Sequence, residues 1–373
     1  MKKVWVEISK SALKHNLKVV RQHLSKGVSI WAVVKSNAYG HGIHAFSSVA
    51  DKSGADGFCV DSVIEGLTLR REKIKKPILV LGPTLPNLYE KAARARIAIT
   101  ISNWDALKAF VKTIKNPNRR AAIHLKLDTG MYRQGFYVSQ LPEVIAFIRD
   151  KKIKLEGVYS HFADSSEIES AQYTEKQYEI FMQAVSYIRE SGFQNVLAHI
   201  ANTAAGLTEQ KYQLSAIRAG NGLYGIYPSR GYENRAYAKL NLRPVLSWHA
   251  LVSEVKKVPA GSSIGYGRTK MVDKETIIAL IPIGFWHGLP WELSNNGEVL
   301  ISGQRVAIVG RVSMDMVAVD VTGIACKVGV KATFIGTQGK ETITAREVAE
   351  RVHTRPQEIV TRINPLIERI VVK

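Results

Sequence analysis

Cysteine is scarce. Cys59 and Cys326 are the only two in 373 residues, and they lie far apart. That usage excludes a disulfide-stapled scaffold, offers no thiolate spacing for a metal, and fits a reduced, cytoplasmic protein. Long apolar runs are missing too. No stretch approaches the about 18 residues that a membrane-spanning helix needs, and mean hydropathy is −0.06. The N-terminal MKKVWVEISKSALKHNL starts basic, but Glu7, Lys10, Lys14 and His15 break up the residues after it, so no secretory signal is read. There is no internal repeat, no low-complexity segment and no Pro/Ser-rich linker. Acid is in deficit, leaving a net charge of +20. The bases are nevertheless spread along the chain, and the denser runs at 70–76, 118–120 and 149–154 fall near expected helix ends, where cations favour the helix dipole. The charge therefore reads as a solvated basic surface able to steer acidic small molecules, with neither a nucleic-acid nor a membrane partner expected.

Hydrophobic residues make up 46% of the chain, enough for a sizeable core. Apolar runs of strand character recur at 29–34, 57–60, 78–81, 97–101, 121–127, 155–160, 196–200 and 214–217, separated mostly by helical patterns. Leu13, Leu17, Val20 and Leu24 share one helical face. Leu107, Phe110, Val111 and Ile114 share another, after a capping-box-like Ser102-x-x-Asp105. Eight such strand–helix units predict an α/β (β/α)8 barrel over residues 1–238, with an open doubly wound sheet as the alternative. After about residue 238 the runs are rich in β-branched residues and punctuated by glycine turns, which predicts a mostly β domain at 239–373, with a helix beginning near Thr344. The first run, 4–8, is free to pair with that second domain.

Lys35 comes just after the first barrel run, in AVVKSNAYGHG (32–42). The C-terminal end of a barrel strand is where active sites of this architecture sit. A desolvated lysine there can lose its proton and form a Schiff base. From position alone, a surface lysine just beyond a strand end is the favoured explanation, since lysines are mostly exposed.

The neighbouring residues go further. AVVKSNAYGHG resembles the pyridoxal-phosphate attachment segment of alanine racemases. HLKLDTGMYRQG, YSHFA, AHIANTAA, IRAGNGLYGIYPS, IGYGRT, IPIGF and IVGRVSMDM resemble further motifs of that family, in its order and over nearly the whole chain. The resemblance implies a pyridoxal-phosphate enzyme that interconverts L- and D-alanine with two bases and supplies D-alanine for peptidoglycan. Lys35 is then the residue that carries the cofactor and the base on the D face. Tyr39, Asn202, Thr203 and the backbone around Gly220 and Asn221 hold the phosphate. Arg218 faces the pyridine nitrogen; a guanidinium does not readily give up a proton, so the ring stays a weak electron sink and transamination is limited. His161 lies near the ring, and His199 helps hold Arg218. Tyr266 is the second base, reaching the pocket from the other subunit of a homodimer with composite sites. Lys126 matches a lysine carbamylated in many members, whose negative charge orients Arg133 toward the cofactor's phenolic oxygen and the substrate carboxylate; an ion pair of unmodified Lys126 with Asp128 is the alternative. Met314 and Asp315 of the partner complete the substrate site.

This chain departs from the family pattern at three places. Phe285, Trp286 and His287 stand in GFWHG where GYADG is usual, and Gln357 replaces a tyrosine that touches the phosphate and narrows the entrance; Ser313 also stands where cysteine is common. A roomier or more polar side-chain pocket is expected. Serine or broader racemisation, a decarboxylase and a non-catalytic pyridoxal-phosphate carrier remain as alternatives. Arg218 argues against decarboxylation. The roughly one third of the chain beyond the barrel, which contains Tyr266, argues against a carrier made of a barrel alone.

Overall fold

Short strands with nearly every residue buried form one parallel sheet: Ser29–Val33, Gly57–Val60, Ile78–Val80, Ala98–Ile101, Ile123–Asp128, Leu155–Tyr159, Leu197–His199 and Ala216–Ala219. Burial on both faces is what parallel strands wrapped by helices require. Each strand up to Leu197–His199 pairs with its neighbour in this order, and Ala216–Ala219 pairs back onto Ser29–Val33. Closure between the last two strands is sparse: an isolated bridge joins Asn202 to Arg218, with Ser215 N–H donating to the Ala198 carbonyl and Arg218 N–H to the Ala201 carbonyl, both at 3.0 Å. The result is a nearly closed (β/α)8 barrel. The computed structural model describes residues 2–116, 118, 120–165, 170–227 and 240–373.

The chain falls into two units. One is the barrel, Ala12–Ala38 with Phe46–Arg243; the other comprises Met1–Ser11, Tyr39–Ala45 and Pro244–Lys373. The second unit is mostly β. Val4–Ser9 pairs antiparallel with Leu246–Leu251 and parallel with Arg369–Val372, and the sheet runs on through Lys331–Gln338 and Glu298–Ile301 to Glu254–Val258. The boundary expected at 238/239 lies outside the described residues.

Local differences from the sequence reading have local causes. Asn103, not Ser102, caps the helix Trp104–Thr113, its side chain accepting from the Ala106 N–H at 2.8 Å. The first helix, Lys10–Gln22, stops short of Leu24. The helix Ala345–Arg351 does start after Thr344, which accepts from the Glu347 N–H. A second helix, Pro356–Arg362, was not expected; proline at its first turn is a start signal that the surrounding β pattern concealed.

Three barrel helices, Val63–Arg71, Tyr89–Arg94 and Leu141–Asp150, end the same way. Lys73, Arg96 and Lys152 sit in the left-handed region, at φ 61, 51 and 49. The next residue, Ile74, Ile97 or Ile153, is buried and donates back to the carbonyl of Leu69, Ala92 or Ile148. Glycine usually fills this helix-ending position; a side chain there is strained. Replacing all three by glycine is expected to stabilise the protein, by about 0.5–1 kcal/mol at each site, read as a raised midpoint in urea unfolding.

Candidate active site

Alternation along Ile123–Asp128 turns Leu125 and Leu127 one way and His124, Lys126 and Asp128 the other. On neighbouring strands Trp31, Thr100, Tyr159, His199 and Arg218 join the second set, as their mutual contacts show. Barrel interiors are ordinarily filled by branched aliphatics. Here a layer of the interior consists of hydrogen-bonded rings and cations instead.

Arg218 is the hub of that layer. Its Nη1 donates to His199 Nδ1 at 2.6 Å and to the His199 carbonyl at 3.1 Å. Its Nη2 reaches the carbonyls of Ser160 and Ile200, at 2.7 and 2.9 Å, and His161 Nδ1 at 3.0 Å. The guanidinium also lies over the Tyr159 ring, 5.0 Å from its centre. Among the described residues, no carboxylate bonds to it. Burial, reinforced by the Arg218 charge, holds His161 and His199 well below the ordinary histidine range. Both are therefore neutral acceptors, and the arginine keeps its positive field uncompensated. The Tyr159 hydroxyl donates to Thr100 Oγ1 at 2.8 Å, Thr100 itself donating to the Val80 carbonyl; burial pushes this phenol up to about 12.

Lys126 is buried, with Nζ 4.7 Å from the centre of the Tyr159 ring. Burial, together with the charges of Arg218 and Arg133, lowers its pKa well below the usual lysine value. The Asp128 charge offsets this only in part. Its carboxylate accepts from the backbone N–H groups of Gly130, Tyr132 and Arg133, at 2.9, 3.1 and 3.2 Å, and so shapes the loop that carries Arg133. Unfolding re-exposes Lys126, so the unfolded chain binds the extra proton. Stability from this residue is therefore present at high pH and is lost as pH falls from about 10.4 toward the depressed value. Lys126→Met is expected to flatten that dependence, measured by urea unfolding across the alkaline range.

Lys35 leaves the barrel two residues beyond Ser29–Val33, half-buried, and its charge is felt by Cys59 and His161. Tyr224 braces this strand end by donating to the Val33 carbonyl at 2.7 Å. After Lys35, Ser36, Asn37, Ala38 and Tyr39 all take left-handed conformations, φ 55, 54, 52 and 51. A left-handed turn of four non-glycine residues is strained. It is bonded in place: the Ala38 N–H donates to the Val34 carbonyl, and the Asn37 N–H to Glu65 Oε1.

Beyond the last two strands, Thr203 Oγ1 accepts from the Gly220 N–H at 2.9 Å, which leaves the hydroxyl proton to donate elsewhere. Asn202 caps the helix Thr203–Thr208 and also accepts from Ser165. Asn221 opens the short helix Asn221–Tyr224. The barrel thus brings together Lys126, His161, His199 and Arg218, and sets Lys35, Arg133, Asn202, Thr203, Gly220 and Asn221 around the same strand ends.

Tyr39, Tyr266, Met314, Asp315 and Gln357 belong to the second unit. Tyr266 comes directly after Gly265 in a tight turn and is 74% exposed. It lines a cavity of about 330 Å³ with Ile264, Arg311, Ser313 and Met316. Phe285 and Trp286 lie beside Ser313 and Met314, their N–H groups donating to those two carbonyls at 3.0 Å. Gly284 permits this approach, since a Cβ there would lie 2.1 Å from the Ser313 carbonyl oxygen. Met314, Met316, Phe285, Trp286 and Trp291 are all exposed.

His124, Tyr159, Thr100 and Gly157 were not singled out in the sequence. The available signal was alternation: His124 is two residues before Lys126, and Tyr159 is two before His161.

Family models match nearly the whole chain: alanine racemase, N-terminal domain, over residues 8–228, and alanine racemase, C-terminal domain, over 245–371. Alanine racemase 1 of Caldanaerobacter subterraneus subsp. tengcongensis is 36% identical over 98% of this chain and 94% of its own length. The alanine racemase of Carboxydothermus hydrogenoformans is 37% identical over 100% of both. Among solved structures, the Bacillus anthracis alanine racemase with bound L-Ala-P superposes with a TM-score of 0.92 at 35% identity, covering 100% of this chain and 96% of that one. A barrel with a basic, imidazole-lined interior and a separate mostly β unit, matched over its full length by such relatives, belongs to the alanine racemase family.

Proposed function

We propose that this chain interconverts L- and D-alanine with pyridoxal phosphate, by removing the α-proton on one side and returning it on the other. The observation that carries the reading is Arg218, a buried guanidinium whose side-chain partners are neutral imidazoles. The donor set fits the cofactor: an amine at a barrel mouth for the aldehyde, a donor-only group for the ring nitrogen, and a hydroxyl with backbone N–H groups for the phosphate. When bound, the cofactor supplies a ring that stabilises negative charge at the substrate α-carbon. Lys35 holds it and moves the proton on one side. Arg218 donates toward the ring nitrogen without surrendering its own proton. His161 sits near the ring, His199 steadies Arg218, and Tyr39, Asn202, Thr203, Gly220, Asn221 and Gln357 serve the phosphate. Arg133 orients the substrate carboxylate.

Tyr266, Met314 and Asp315 act in the site of a second copy of the chain, so the working form is a homodimer. What supports this is the exposed apolar area around Tyr266, Met316 and Trp286, of the kind that marks protein interfaces. The product serves peptidoglycan synthesis in the cytoplasm. Among the described residues no helix is long and apolar enough to cross a membrane.

Lys126, held neutral, is an amine able to take up carbon dioxide, and the carbamate anion is favoured by Arg218 and Arg133. The intact protein is expected to show the added mass of one carbon dioxide, lost with part of the activity after degassing.

The test of the reading is direct: racemisation of L- and D-alanine by the purified holoprotein, with borohydride fixing the cofactor on the peptide that contains Lys35. No racemisation of any amino acid would refute it. A share of serine turnover is favoured by Gln357, whose Oε1 is buried with no hydrogen-bond partner among the described residues. Gln357→Tyr is expected to lower the serine-to-alanine ratio of kcat/KM by about tenfold.

A further inference from the structure

We propose that His124 is a positioning residue for Arg218, acting through the tautomer of His199. The proposal rests on the reading that Arg218 works in the site. A guanidinium only donates. Arg218 Nη1, 2.6 Å from His199 Nδ1, therefore makes that nitrogen the acceptor and puts the imidazole proton on Nε2. This N–H points at His124 Nδ1, 2.9 Å away, which must then be an acceptor too. The direction of the whole row is set: arginine to His199, His199 to His124.

Several features hold His124 in that role. Its ring meets that of His199 edge-on, at 60° and 5.1 Å between centres, with the two facing nitrogens 2.9 Å apart. Trp31 packs against both rings, 5.4 Å from His124 and 5.3 Å from His199. Tyr159 stacks on His199 at 4.9 Å and 5°. The residue paired with His124 on the next strand is Gly157, where a Cβ would lie 2.2 Å from His124 Nδ1. The missing side chain makes the space that the imidazole occupies. Burial pushes His124 down to about 3, so it stays neutral and keeps its lone pair.

The row solves a specific problem. An unconstrained imidazole can carry its proton on either nitrogen. With the proton on Nδ1, His199 would present a donor to a donor, and Arg218 would have to turn away. An acceptor on the far side of His199 selects the other tautomer without placing a negative charge beside Arg218, as a carboxylate would.

Nitrogen NMR of the ¹⁵N-histidine-labelled full chain tests this without reference to catalysis. In the wild type His199 should carry its proton on Nε2. In His124→Leu that population should shift to Nδ1, and in His124→Asn, whose amide oxygen can take the place of Nδ1, it should return. In the holoenzyme, kcat should fall by about tenfold or more in His124→Leu with KM little changed, and recover in His124→Asn. A proton on Nδ1 of His199 in the wild type would overturn the proposal, whether or not the leucine variant folds. So would a leucine variant with the wild-type tautomer. If the tautomers behave as expected while the chain racemises nothing, only the functional reading fails.

Discussion

Lys35→Ala is expected to lower racemisation of both alanine enantiomers by at least about a thousandfold. Lys35 is the only residue assigned both to hold the cofactor and to move a proton, so its loss removes two contributions at once. Its place is set by structure that the mutation leaves alone: the strand Ser29–Val33, the Tyr224 bond to the Val33 carbonyl and the left-handed turn at Ser36–Tyr39. The variant should therefore fold. Lys35→Arg should not restore activity, because a guanidinium neither forms the Schiff base nor releases its proton near neutral pH. Retention of activity within about tenfold in the alanine variant would remove Lys35 from the mechanism.

Tyr266→Phe should separate two measurements that move together in the wild type. Interconversion should fall by about a hundredfold or more, since one face of the α-carbon loses its base. Exchange of the α-hydrogen of D-alanine with deuterated water should continue, because Lys35 still serves its own face. Tyr266 is exposed on its own chain, and mixing tests where it acts. When Lys35→Ala and Tyr266→Phe chains assemble together, one of the two sites regains both bases if the tyrosine comes from the partner. Activity should then reappear from two nearly inactive variants. If the tyrosine worked in its own chain, the mixture would stay inactive.

The barrel was readable because its strands are buried on both faces and appear as plain apolar runs, and because helical patterns separate them. The sheet of the second unit was readable only as a class, since nothing in VEIS announces that Val4–Ser9 bridges Leu246–Leu251 and Arg369–Val372. Site residues were legible where they sit in dense motifs, as Lys35, His161 and Arg218 do. His124 was passed over because a lone histidine in HLKLD looks like a core residue; its meaning depends on Gly157 and His199, which come from other strands. The left-handed turn at Ser36–Tyr39 was hidden for a different reason. Glycine usually flags such a conformation, and here four residues with side chains adopt it.

The barrel's sparse closure has a mechanical consequence. Seven junctions between neighbouring strands are paired ladders, while the eighth, beside Arg218, is held by an isolated bridge and a few loop bonds. With fewer backbone hydrogen bonds there, that junction is where amide exchange in the barrel sheet is expected to be fastest. The row from His124 through His199 to Arg218 crosses that same junction, so side-chain bonds tie together two strands that the backbone leaves mostly unpaired.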